Sequence, residues 1–132
     1  MGLGVTARES AAQAGGGKTT FDGIYSDAQS ARGEKTSVAS CSVCHGDKLA
    51  GTDMGPGVAG PSFRENWSGR SVSELFDKVK TTMPANDPGT LSAAATADVV
   101  AYILKVNDYP AGAAELPSEM AALSEIKIRH QK

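Results

Sequence analysis

Between Ser71 and Thr82 the apolar residues Val72, Leu75, Phe76 and Val79 fall three and four positions apart, which puts them on one side of a helix. Ser71 followed by Glu74 forms a capping box that opens this helix, and Pro84 stops it. A second helical period, Val99, Tyr102, Ile103 and Val106, follows the good N-cap Ser92 and predicts a helix from Ala93 to about Val106. Ser26 with Gln29 three residues on reads as another capping box, opening a helix from Asp27 to about Ala39. Shorter helical pieces are expected at Phe63 to Trp67 and at Ser118 to Ser124, the latter with Met120 and Leu123 turned inward and followed by Ile126 and Ile128. No segment alternates convincingly as a strand and none repeats, so the expected class is all-α.

The connections between these helices are long and rich in Gly and Pro: Gly46 to Gly69 contains Pro56 and Pro61, and Met83 to Ser92 contains Pro84 and Pro88. An ordinary helical bundle avoids such loops, so something other than helix packing has to organise them. Aromatic residues make up 5% of the chain, three Phe, three Tyr and one Trp, fewer large rings than a core usually holds. A bound apolar cofactor would make up the deficit. Residues 1–22 carry Gly15, Gly16 and Gly17 and no helical period, and read as a flexible leader or linker. Residues 23–110 form the expected domain, and 111–132 a C-terminal extension packing on it. Thirteen basic against fifteen acidic residues leave a net charge of −2, which argues against nucleic acid as a partner, because phosphate neutralisation needs a basic surface. No basic cluster followed by an apolar run marks a signal peptide, and no segment is long and apolar enough to span a bilayer, so a soluble, processed monomer is expected.

The only two cysteines lie in Ser40-Cys41-Ser42-Val43-Cys44-His45-Gly46. A dithiol redox site shares the two-cysteine spacing but needs a preceding strand and a βαβ context, which the pattern lacks. A zinc site needs a second ligand pair, and the other histidine is His130 near the C-terminus. Two buried thiols beside a surface histidine would also be possible for a lone CxxC. The remaining reading is covalent haem c: at the end of a helical turn, two cysteines three apart present both sulfurs to one porphyrin edge, and the next histidine reaches the iron.

On Cys41 to His45, the Gly55 to Gly60 run, the Met83 to Ser92 loop and Ala97 to Pro110, the chain resembles the class I mono-haem c-type cytochromes over about Tyr25 to Pro110. The Met83-Pro84 pair with its Pro-Gly turn, together with Tyr109 to Gly112, is most similar to bacterial cytochromes found beside quinoprotein dehydrogenases. The resemblance implies a cytochrome c fold, three to five helices with long loops wrapped around one haem held through Cys41 and Cys44. It implies His45 and Met83 as the two axial ligands. A thioether opposite an imidazole raises haem potential, because soft sulfur favours ferrous iron. Met83 could instead be core packing, and Met54 lies in a loop near the pocket. Pro56 matches the proline whose carbonyl accepts from the ligand imidazole, with Pro61 as the alternative. Trp67 and Arg70 fall where a donor reaches a haem propionate, although Arg70 also suits a solvated surface position. Val58, Phe63, Leu75, Phe76, Val79 and Ile103 are the residues expected to keep water off the haem.

Two positions depart from the family. Gly33 matches the glycine at which the first and last helices cross, and Tyr102 the aromatic expected on the last helix. Thr36 and Ser37, however, stand where a large apolar pair is usual. A thinned contact between those helices is expected, covered by the C-terminal extension through Met120 and Leu123. Ala93, Ala94 and Ala95 open the last helix where acidic residues more often complement its dipole. The implied function is one-electron transfer, not catalysis on a substrate. It takes place outside the cytoplasm, with a redox donor such as a periplasmic quinoprotein dehydrogenase and a respiratory acceptor. A haem enzyme or gas sensor with a labile Met83, and an electron-transfer domain of a larger dehydrogenase, are the alternatives. Lys48, Lys78 and Lys80 could form a docking patch or three solvated side chains.

Overall fold

The computed structural model describes residues 18–41, 49, 51, 57–83 and 89–129. Among them run β1 (Lys18–Thr19), α1 (Asp27–Ser40), α2 (Pro61–Trp67), α3 (Val72–Thr82), α4 (Ala93–Val106), α5 (Met120–Leu123) and β2 (Ile126–Lys127). The caps explain the helix starts. Ser26 Oγ accepts from the Gln29 N–H at 3.1 Å and Ser92 Oγ from the Ala95 N–H at 3.0 Å. Ser71 and Glu74 form the full reciprocal box, the Glu74 carboxylate accepting from the Ser71 N–H at 3.1 Å. At Ser26 only half of the predicted box is present. The Gln29 side chain turns away from the cap, its Nε2 donating to the Leu116 carbonyl at 3.0 Å and its Oε1 accepting from the Leu116 N–H at 2.7 Å.

α4 is the centre of the fold. The predicted stripe understates its burial: Thr96, Ala97, Val99, Val100, Ala101, Tyr102, Ile103 and Leu104 are all buried, whereas Val106 is only partly so. Both α1 and α3 pack on it, so no side of its middle turns is left to solvent. The expectation of a thinned contact between the first and last helices is overturned, since α1 and α4 form the most extensive helix pair among the described residues. Gly33 is the reason. A Cβ there would lie 1.8 Å from the Asp98 carbonyl oxygen of α4, so the helices approach to a distance only a hydrogen allows, and small Ser37 is buried beside them. α4 ends in a Schellman motif: the Asp108 N–H donates to Lys105 O at 3.0 Å and the Tyr109 N–H to Leu104 O at 3.1 Å, with Asp108 at φ 66°.

The termini correct three further expectations. The reading without strands misses β1 and β2, which pair in parallel with Lys18 opposite Ile126 and Thr19 opposite Lys127. Two residues are too few to show an alternating pattern. The strand begins at Lys18, so the end of the segment read as a leader belongs to the fold, and Thr20 is fully buried. Met120 is 44% exposed and does not turn inward, whereas Leu123 does. The extension instead covers α1 through Leu116, clamped by Gln29, and through Glu115, which pairs with Arg32 at 2.6 Å and accepts from Ser26 Oγ at 3.1 Å. Tyr25 and Tyr109 cross nearby, the Tyr25 hydroxyl donating to Tyr109 O at 2.6 Å and the Gly112 N–H to Tyr25 O at 2.6 Å. At Gly112 a Cβ would lie 2.0 Å from the Gly23 carbonyl oxygen.

Candidate functional site

Cys41 is the C-cap of α1, its N–H donating to Ser37 O at 2.7 Å, so the helix end fixes where the thiol sits. The side chain is partly buried, forms no disulfide among the described residues, and packs against the apolar core. Burial pushes its thiol pKa up, partly opposed by a hydrogen bond with the Ser37 side chain. Cys44, His45, Lys48, Met54, Pro56, Pro84, Pro88 and His130 lie outside the described residues.

The sequence-predicted apolar residues belong to one continuous core. Phe63 on α2, Leu75, Phe76 and Val79 on α3, and Ile103 on α4 are buried in it, and Val58, Trp67 and Met83 pack against it together with Cys41. α3 presents its three by helical spacing. Met83 is its C-cap, with its N–H bonded to Val79 O at 3.1 Å and an extended backbone that carries the chain away from the helix axis. Both the Cys41 thiol and the Met83 thioether are partly buried against this core, an apolar setting with sulfur groups that fits a haem.

α2 supplies a stack that runs outward from the core. The Phe63 and Trp67 rings lie 6.0 Å apart and 27° from parallel, and the Arg70 guanidinium sits 4.0 Å from the Trp67 centroid. Arg70 is exposed and donates from Nε to Glu74 Oε1 at 3.0 Å. The C-terminal tail fixes this corner: the Ile128 N–H donates to Arg70 O and the Gly69 N–H to Ile128 O, both at 2.8 Å. Lys78 is exposed and Lys80 partly buried on α3.

Sequence reasoning missed Arg64 and Asn107. Arg64 donates from its guanidinium to the Asn107 carbonyl, at 3.0 Å from Nε, and lies 4.8 Å from the Tyr109 ring centroid. Asn107 carries its side chain into the Val58 to Gly60 segment. An asparagine after a helical period reads only as a stop signal, and an arginine between Phe63 and Glu65 only as surface. A cleft of about 300 Å³ between Gln29, Arg32, Asp98 and Glu115 lies apart from these residues, and its Arg32 guanidinium is already engaged by both carboxylates.

The sequence model of a family described as cytochrome C oxidase, cbb3-type, subunit III matches residues 28–103, from the first turn of α1 to the last turn of α4. No curated protein and no solved structure matches the chain.

Proposed function

The chain belongs to the family described as cytochrome c oxidase, cbb3-type, subunit III, as a c-type cytochrome domain, and on that premise we propose that it is a one-electron carrier with a single haem c. The membership itself implies a cytochrome c fold, covalently bound haem and haem-based electron transfer with redox partners. Among the described residues no helix is long and apolar enough to cross a membrane, and c-type cytochromes are generally exported. A periplasmic location is the reading we adopt.

In this reading Cys41 and Cys44 would hold the haem through thioethers, and His45 and Met83 would be the residues that ligate its iron. Bound there, the haem supplies a one-electron couple between ferrous and ferric iron. Were both residues to hold the iron, no place would remain there for a substrate, and the group would supply electron exchange alone. Phe63, Leu75, Phe76, Val79, Val58 and Ile103 keep water away, which lowers the local dielectric and favours the less charged ferrous state. Trp67, and Arg70 where it can leave Glu74, offer donors to the propionates. Pro56 orients the His45 ring through its carbonyl. The donor is a periplasmic dehydrogenase of the quinoprotein type. The family description suggests a cytochrome c oxidase of the cbb3 type as the respiratory acceptor.

The observation that carries the reading is the placement of Cys41 and Met83 against the same apolar core. The ferric protein should show the weak near-infrared band of sulfur-to-iron charge transfer. Met83→Ala should abolish it and lower the midpoint potential by well over about 59 mV, a tenfold change in a one-electron equilibrium. A band that survives in M83A would remove Met83 from the iron.

A further inference from the structure

Asn107 is 1% exposed, and its side-chain amide reaches three backbone groups. Oδ1 accepts from the Gly60 N–H at 2.8 Å, and Nδ2 donates to the Val58 and Ile103 carbonyls, each at 2.8 Å. Its own carbonyl accepts from Arg64 of α2. Val58 passes the connection on, its N–H donating to the Leu49 carbonyl at 2.8 Å, and Leu49 is buried. α4 does not need this side chain to end, because Asp108 and Tyr109 already close its last carbonyls. What the amide does instead is tie the segment Val58 to Gly60, which leads into α2 and its Phe63 and Trp67, to the end of the central helix.

In sequence, Leu49 stands four residues after His45, and Val58 two residues after Pro56. We propose that Asn107 is a positioning residue for the haem pocket: it hangs the Val58 to Gly60 segment on α4 and thereby keeps Val58, one of the residues read as excluding water from the haem, packed against the core that Leu49 joins. This rests on the haem reading above. Without the amide, the Val58 carbonyl and Gly60 N–H seek water, the segment lifts, and solvent reaches the haem and favours the ferric state.

The test compares haem-loaded Asn107→Leu with haem-loaded Gln29→Leu, which removes an equally buried amide clamp on the C-terminal extension. Both should lower the urea midpoint. N107L alone should lower the midpoint potential, by about 59 mV for a tenfold shift in the one-electron equilibrium, while the sulfur-to-iron charge-transfer band persists. An unchanged potential in N107L, or a shift no larger than that of Q29L, overturns the proposal. Should N107L yield no folded protein, Asn107→Ser, whose hydroxyl cannot span both Val58 and Gly60, is judged by the same comparison. Haem content of the wild type decides the underlying reading, and the difference between the variants decides the role of Asn107.

Discussion

Glu74 uses both carboxylate oxygens. One accepts from the Ser71 N–H at the start of α3, and the other from Arg70, whose guanidinium covers Trp67. These donors, the Ser71 N–H first and Arg70 second, hold its pKa below the ordinary carboxylate range. The folded protein therefore binds this proton less tightly than the unfolded chain. The stabilisation is complete above the unfolded carboxylate pKa and is lost as pH falls through the depressed folded value. Glu74→Gln keeps an acceptor for the capping box but loses the charge. Urea unfolding at neutral and acid pH should show a small loss for E74Q at neutral pH and a smaller loss on acidification than in the wild type. Parallel acid slopes would mean that the charge contributes nothing, as exposed ion pairs often do.

At the scale of elements, the crossing of α1 and α4 depends on one absent methyl group. Replacing Gly33 by Ala adds helix propensity worth about 1 kcal/mol, but the new Cβ would meet the Asp98 carbonyl oxygen at 1.8 Å. A backbone oxygen cannot rotate aside, so the helices must separate. Overpacking of this kind costs about 1–3 kcal/mol or more, and G33A should lower the urea midpoint despite the better helix former. An unchanged or raised midpoint would mean that the helices can part without loss. The starts of all three long helices were legible in the sequence, because Ser26, Ser71 and Ser92 are local signals whose partners lie three residues away. The tails were not. The pairing of Lys18 with Ile126 and the clamps of Gln29 on Leu116 and Asn107 on Val58 join residues far apart in the chain, through backbone groups that every residue carries. No residue type or spacing announces them.

For the whole molecule, the helices leave Cys41 at the end of α1 and Met83 at the end of α3 packed on a core centred on α4. The candidate attachment motif stands out in the sequence because covalent attachment requires a fixed spacing of two thiols and an imidazole, and "CSVCH" meets it; of that motif only Cys41 lies among the described residues. The apolar wall was legible on α3, where one side is buried and period 3.6 shows, and less so on α4, which is buried nearly all round. The C-terminal extension, expected to pack on the domain, also frames the site: the tail holds Gly69 and Arg70 in place beside Trp67.

The most direct test of the central claim is the intact mass of the purified protein after extraction with acidified organic solvent. Thioether attachment predicts that the pigment stays with the chain and that the mass exceeds the polypeptide by one haem, reverting to the bare chain in the Cys41→Ala, Cys44→Ala double variant. A wild-type chain that yields its pigment to the solvent, or weighs no more than its sequence, would contradict the account.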